Sequence, residues 1–301
     1  MKKALLYVAF ITGSFYLISC EKEVNFNLPA SISEKVVVEG GIELGTPPLV
    51  LLTNSFGFFS KLDLSTLQNA FISGAQISVS DGSRTVNLRE YSIDTLGNFY
   101  KFYSVDSSNA ADLTFIGQAG KSYQLKIVVD GKTYESTTTI PQPVSAAFDS
   151  IWSEPFENPD PEHPEYRRVM VRYNDPPELG NRFRIFIQQN NRPFTAGRFS
   201  TLDDNITNGT TTTLDFYNVL SPMDTSTQDG RFAFLPDDVV TIKFSAIDKA
   251  TYDFWQTLDF SVGTTGNPFS TPVKVPSNIS NGALGIWAGY APTYKTVTVK
   301  E

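Results

Sequence analysis

Two segments of this chain repeat one device: an alternating apolar and polar run, an Asp-Gly pair, and a second alternating run. Ala75-Gln76-Ile77-Ser78-Val79-Ser80 leads into Asp81-Gly82 and then Arg84-Thr85-Val86-Asn87-Leu88. Tyr123 to Val129 leads into Asp130-Gly131 and then Thr133 to Thr139. A period of two sends successive side chains to opposite faces of a strand, and Asp-Gly tolerates the positive φ angles of a two-residue hairpin turn. Antiparallel sheet with one buried face is what such runs can build. Further short runs agree: Lys35-Val36-Val37-Val38-Glu39, Leu49-Val50-Leu51-Leu52-Thr53 and Asn98-Phe99-Tyr100-Lys101-Phe102-Tyr103, the first two separated by Gly40-Gly41 and Gly45-Thr46-Pro47-Pro48. Short strands with a turn signal roughly every 8–12 residues predict an immunoglobulin-like β-sandwich over residues 32–140. Only Asp63 to Phe71 reads as a short helix there, capped by Asp63 or Ser65.

Pro141-Gln142-Pro143 is the expected boundary, because proline cannot donate to a ladder and two of them stiffen a linker. Residues 141–301 then read as a second β-rich domain. Its strands are expected at Val169–Tyr173, Arg182–Gln188, Arg231–Phe234, Val239–Phe244 and Lys295–Val299. One amphipathic helix is expected near 248–262, where Tyr252, Trp255 and Leu258 recur at helical spacing and Phe254 and Phe260 widen the stripe. Such a helix would cover one face of a sheet. The fold class is therefore mostly β, a sandwich followed by a β-rich domain with one helix.

The start of the chain concerns address. Lys2 and Lys3 precede a short apolar stretch, interrupted by Thr12, Gly13 and Ser14, which is the layout of a signal peptide over residues 1–19. Leu17-Ile18-Ser19-Cys20 has the form of a lipobox, so Cys20 is the expected lipidation site and residues 20–31 a lipidated tether. Cys20 is the one cysteine of the chain, which leaves no disulfide framework. Acyl chains gain about 0.8 kcal/mol per buried CH₂, so several of them would make the anchor permanent. The acidic Glu21-Lys22-Glu23 behind the cysteine points to the outer membrane and its exterior face, with the periplasmic face as the alternative. Removal of Lys2 and Lys3 leaves 22 basic against 32 acidic side chains, from 24 and 32 in the full chain. That sign repels phosphate backbones, and nucleic acid is excluded as a partner.

Taken in order, several stretches resemble the domain of unknown function 4249 family of Bacteroidota lipoproteins. They are Cys20-Glu21-Lys22-Glu23, Lys35 to Gly40, Ala75 to Gly82, the helix around Tyr252-Phe254-Trp255, and Asn267-Pro268-Phe269 leading to Gly282 through Tyr290. The resemblance implies an accessory lipoprotein paired with a TonB-dependent outer-membrane receptor in nutrient uptake. It implies no catalytic residue. A free-standing glycan- or solute-binding module is the alternative, and a hydrolase ranks third.

The chemistry-bearing residues support binding over reaction. His163 is the one histidine, in the proline-rich acidic loop Asn158 to Tyr166, a poor place to orient a general base. One histidine and one lipidated thiol cannot assemble a tetrahedral zinc site, and neither a metal nor a cofactor is expected. Asp203-Asp204-Asn205 and Asp224 with Ser226, Gln228 and Asp229 gather oxygen ligands suited to calcium, but neither fits an EF-hand, and turn residues explain them. Glycosidase carboxylates are defined by separation in space, which sequence does not show. Trp152, Trp255 and Trp287 are read as core in preference to a sugar-stacking platform. Phe56, Phe58 and Phe59, in the Asn54 to Ser60 stretch, are the candidate partner contact, set against a loop folded back on the sandwich.

Overall fold

The computed structural model describes residues 34–56, 63–95, 98–144, 147–157, 161–217, 233–264, 267, 271 and 273–301. The expected signal peptide, Cys20 and the tether lie outside the described residues, as do Phe58 and Phe59.

The first half begins with strands β1 (Val36–Glu43) and β2 (Leu49–Asn54), the one-and-a-half-turn helix α1 (Leu64–Asn69), and strands β3 (Gln76–Ser80), β4 (Thr85–Thr95) and β5 (Asn98–Ser104). A second short helix, α2 (Ala110–Leu113), precedes β6 (Ser122–Val129) and β7 (Lys132–Thr139). The second half holds β8 (Phe148–Pro155), β9 (Arg167–Asn174), β10 (Arg182–Gln189), β11 (Thr195–Asp203), β12 (Thr211–Phe216) and β13 (Val239–Ala246). Helix α3 (Lys249–Gly263) and the long strand β14 (Leu284–Thr298) complete it. The chain is mostly β, as the alternation predicts.

Eleven strands follow one hydrogen-bonded order, β11-β10-β13-β14-β1-β2-β5-β4-β3-β6-β7, and β12-β9-β8 form a second sheet. Two long strands turn the corners. In β4, residues 85–88 pair with β3 and residues 89–95 pair with β5. In β14, residues 284–290 run parallel to β1 and residues 291–298 run antiparallel to β13. Bending at β4 brings the β6–β7 end back over β14, where the buried Trp287 donates its indole N–H to the Tyr123 carbonyl at 2.9 Å. The β8-β9-β12 sheet closes over the other half through aromatic packing, with the Phe148 ring stacked on Phe244 at 3.8 Å and edge-on to Phe183 at 5.2 Å.

Residues 35–301 form one compact unit. The expected boundary at Pro141–Pro143 therefore does not divide the chain into separate hydrogen-bonded bodies: β1, before it, is laddered to β14, after it, and one apolar cluster runs from Val38 to Val299. Gly40-Gly41, read from sequence as a break, lies inside β1. A Cβ at Gly40 would sit 2.9 Å from the Trp287 ring and one at Gly41 3.0 Å from the Tyr290 ring, so these glycines clear room for aromatics crossing the strand.

The two Asp-Gly signals resolve differently. Asp130 (φ 50°) and Gly131 (φ 70°) form the expected two-residue turn between β6 and β7. At Asp81 the loop is four residues long, since Ser80 pairs with Thr85. The Asp81 carboxylate accepts from the Arg84 N–H at 2.7 Å and the Ser83 N–H at 2.9 Å and is clasped by Lys121 at 2.6 Å. A side chain that supplies its own turn hydrogen bonds relaxes the demand for two positive φ angles. Asp63 caps α1, accepting from the Thr66 N–H at 2.8 Å.

Gly285 carries a φ of 103°, and a Cβ there would stand 1.9 Å from the Val38 carbonyl oxygen. Gly285→Ala should cost about 3 kcal/mol or more, combining left-handed strain with a displaced ladder. Gly45→Ala, at φ 81° with open space around it, should cost about 1 kcal/mol. Chemical denaturation midpoints of the two variants check the difference.

Candidate functional site

The outward face of β14 and its neighbours is covered by α3. Asp248 fixes the helix start, its carboxylate accepting from the Thr251 N–H at 2.8 Å. From there the apolar stripe falls inward: Phe254 joins Ile286 and Ala288 of β14 in a cluster of its own, with Trp255, Leu258, Val275 and Tyr290 packed around it. The Trp255 indole donates to the Tyr290 hydroxyl at 3.0 Å. Burial pushes the Tyr290 phenol up to about 12, against the opposing pull of Arg184 and the Trp255 hydrogen bond.

Trp255 stands between two concavities. The larger, of 560 Å³, is walled by Val37 and Glu39 of β1, by Phe254, Trp255 and Leu258 of α3, and by Val275. Arg184 and Lys274 bring positive charge to it. The smaller, of 320 Å³, lies on the other side and is bordered by Glu39, Glu43, Leu49 and Tyr290. The larger cavity falls in the size range of small-molecule sites, mostly apolar with a few polar groups. In the smaller one, the Glu43 carboxylate is bound by the Lys243 ammonium and accepts from Tyr294 at 3.2 Å.

Arg184 is the unusual group. Its position on β10 places it under α3, so that it is only 7% exposed. Its guanidinium carbon lies 3.0 Å from the centroid of the Trp255 ring and 5.1 Å from that of Phe186. Its Nε and Nη1 donate to no acceptor among the described residues. Burial lowers its pKa, and the Tyr290 phenol and the Asp259 and Glu39 carboxylates nearby oppose that shift; arginine stays cationic at neutral pH regardless. Asp259 is itself engaged, accepting from the Ser200 N–H at 3.0 Å and hydroxyl at 2.9 Å. A desolvated cation over tryptophan gains about 2 kcal/mol, short of the several kcal/mol that burying an unpaired ion costs.

The residues singled out by sequence are scattered. Phe56, just past β2, is 39% exposed; Phe58 and Phe59 lie outside the described residues, so Phe56 is the one member of the three whose position is defined. His163 is half-buried, stacked on Tyr166 with 4.5 Å between ring centroids and its Nδ1 3.1 Å from Glu165. Trp152 is half-buried in β8, donating to Glu154 at 3.1 Å, and Trp287 is core. Of the tryptophans only Trp255 borders the cleft. Asp204 is buried and accepts from the N–H groups of Gly180 at 2.6 Å and Asn181 at 2.7 Å, tying down a loop, and Asp203 accepts from Asn205. The Asp224 to Asp229 group lies outside the described residues.

Sequence reasoning passed over Arg184, which reads as one polar position in an alternating strand. The signal was available in combination. Arg182, Arg184 and Phe186 share a strand face, and a helix expected to cover a sheet must bury something polar if that face carries arginine.

A family model described as a domain of unknown function, DUF4249, matches residues 21–296. No curated protein matches the chain. Among the described residues, no helix is long and apolar enough to cross a membrane.

Because α3 forms one wall of the cleft, its cap is a lever on it. Asp248→Ala should cost about 1 kcal/mol of stability, whereas Asp248→Asn, which keeps an acceptor, should cost a few tenths. Denaturation followed by tryptophan emission measures both.

Proposed function

The chain belongs to the DUF4249 family, and from that premise we propose that it is a ligand-binding lipoprotein of the outer membrane, accessory to a TonB-dependent receptor in nutrient uptake. The observation that carries the binding role is the cleft beside α3: an apolar cavity of 560 Å³ bordered by a buried guanidinium with unmet donors. Such a group is a cost to the fold that a bound molecule would offset. The receptor partnership rests on the family resemblance, and the address on the signal peptide and Cys20. In this reading no bond is made or broken. The cleft's charged lining, Glu39, Arg184 and Lys274, orients a ligand and does not activate a nucleophile.

A free-standing glycan-binding module is the competing reading. Sugars are held by aromatic platforms, and Trp152, Trp255 and Trp287 occupy three separate places. The distribution therefore favours capture of a single small solute over binding along a polysaccharide.

Two measurements test the proposal. Cys20→Ala should move the protein from the membrane to the soluble fraction; a variant that stays with the membrane would defeat the anchor. Isolation through a C-terminal tag after mild detergent extraction and crosslinking should recover a TonB-dependent receptor in stoichiometric amount. Recovery of the lipoprotein alone would transfer support to the free-standing module.

A further inference from the structure

The cleft's lining also bears on what it binds. Glu39 contributes one negative charge, Arg184 and Lys274 one positive charge each, so the lining carries a single excess positive charge in a chain whose formal charge is -8. The positive group packed on the apolar wall is Arg184, its guanidinium carbon over the Trp255 ring, with two buried donor nitrogens, Nε and Nη1, lacking any partner among the described residues. Nε and Nη1 have almost no exposed surface, so an anion in the cleft pairs with them once the side chain shifts toward it, in the planar geometry by which arginine binds carboxylates. An arriving anion breaks no hydrogen bond between Nε or Nη1 and the described residues.

We infer that the cleft beside α3 takes a small molecule with an apolar body and one carboxylate, the carboxylate pairing with Arg184 and the body lying against Trp255, Phe254 and Leu258. The inference rests on the reading of the cleft as a ligand site and adds the ligand's chemical class. One carboxylate matches the single positive charge of Arg184. A phosphate monoester carries about 1.5–2 charges at neutral pH and exceeds it. An apolar body matches the walls, since Val37, Phe254, Trp255, Leu258 and Val275 offer contact area and few hydrogen bonds.

Calorimetric titration of the purified full chain with 2-naphthoate, 2-naphthamide and 2-naphthyl phosphate tests this, because the three probes share one apolar body. Naphthoate should bind at least about tenfold more tightly than the amide, the margin expected of a charge-assisted pair. Arg184→Met should remove that margin and Arg184→Lys should restore part of it. Arg184→Met should also melt no lower than the parent, since it deletes a buried cation whose Nε and Nη1 have no hydrogen-bond partner among the described residues, and this confirms that lost binding is not lost folding. Equal affinity for acid and amide, naphthoate binding unchanged in Arg184→Met, or a preference for the phosphate would each overturn the carboxylate inference. If Trp255→Leu then abolished binding of whichever probes bind, the cleft would stand as a ligand site of different chemistry. Absence of binding by all three probes at millimolar concentration would overturn the inference and the ligand-site reading together.

Discussion

The ladder between β14 and β1 is the contact on which the rest of the structure depends. It joins the last of the described strands to the first in a parallel pair, and the same strand then turns to pair antiparallel with β13. Each half of the molecule on its own would present an open edge at this place, and unpaired edges are liabilities. Trp287 locks the join. It is fully buried, reaches the Tyr123 carbonyl across the sandwich, and lies against Gly40 of β1. Four glycines make the approach possible: Gly40 and Gly41 leave room for rings, and Gly285 and Gly289 let β14 come within contact of the backbone at Val38 and Thr139.

The inward side of this join is saturated with apolar contacts, and the outward side is where the protein carries its unusual chemistry. Helix α3 covers β14 through Phe254, Ile286 and Ala288 but does not reach β1 with a tight seal. What remains is a cleft with a cation at its border. A fold selected for stability alone would replace Arg184 with a methionine or leucine of similar bulk, because aromatic stacking recovers only a fraction of the solvation lost. Retention of such a group fits the general trade in which binding sites hold strain or unmet polarity that the surrounding fold tolerates.

Much of the architecture was legible because period-two alternation is a direct readout of which face is buried. The β3–β4 and β6–β7 hairpins, α1 with its Asp63 cap, and α3 with its Asp248 start all stand where local signals put them. What misled was local reasoning about residues whose role is long-range. Gly285, Gly289 and Pro292 look like breaks, so only the last residues of β14 read as strand; the glycines are there because a distant backbone passes close by. The boundary at Pro141 fails as a divider for the same reason, since no local pattern announces a parallel partner from the other end of the chain. Asp81 and Asp130 precede identical glycines yet build different turns, decided by Lys121 and Ser83. The site was least legible of all. Arg184 acquires its character only when α3 is laid over β10, and neither segment shows it alone.

The parallel join also sets an order of events for the chain as it forms. Antiparallel neighbours such as β3–β4 and β6–β7 are close in sequence and can pair as soon as both strands exist. The β1–β14 ladder closes the longest loop in the molecule and must wait for the final strand. A chain delivered N-terminus first therefore carries β1 with one side unpaired through nearly all of its emergence. Its Val36-Val37-Val38 run is, during that interval, a sticky edge in search of a partner. The same strand carries Glu39 and Glu43, one bordering the cleft and the other bound to Lys243 in the finished molecule, and like charges on an unpaired edge oppose its pairing with a second copy of itself.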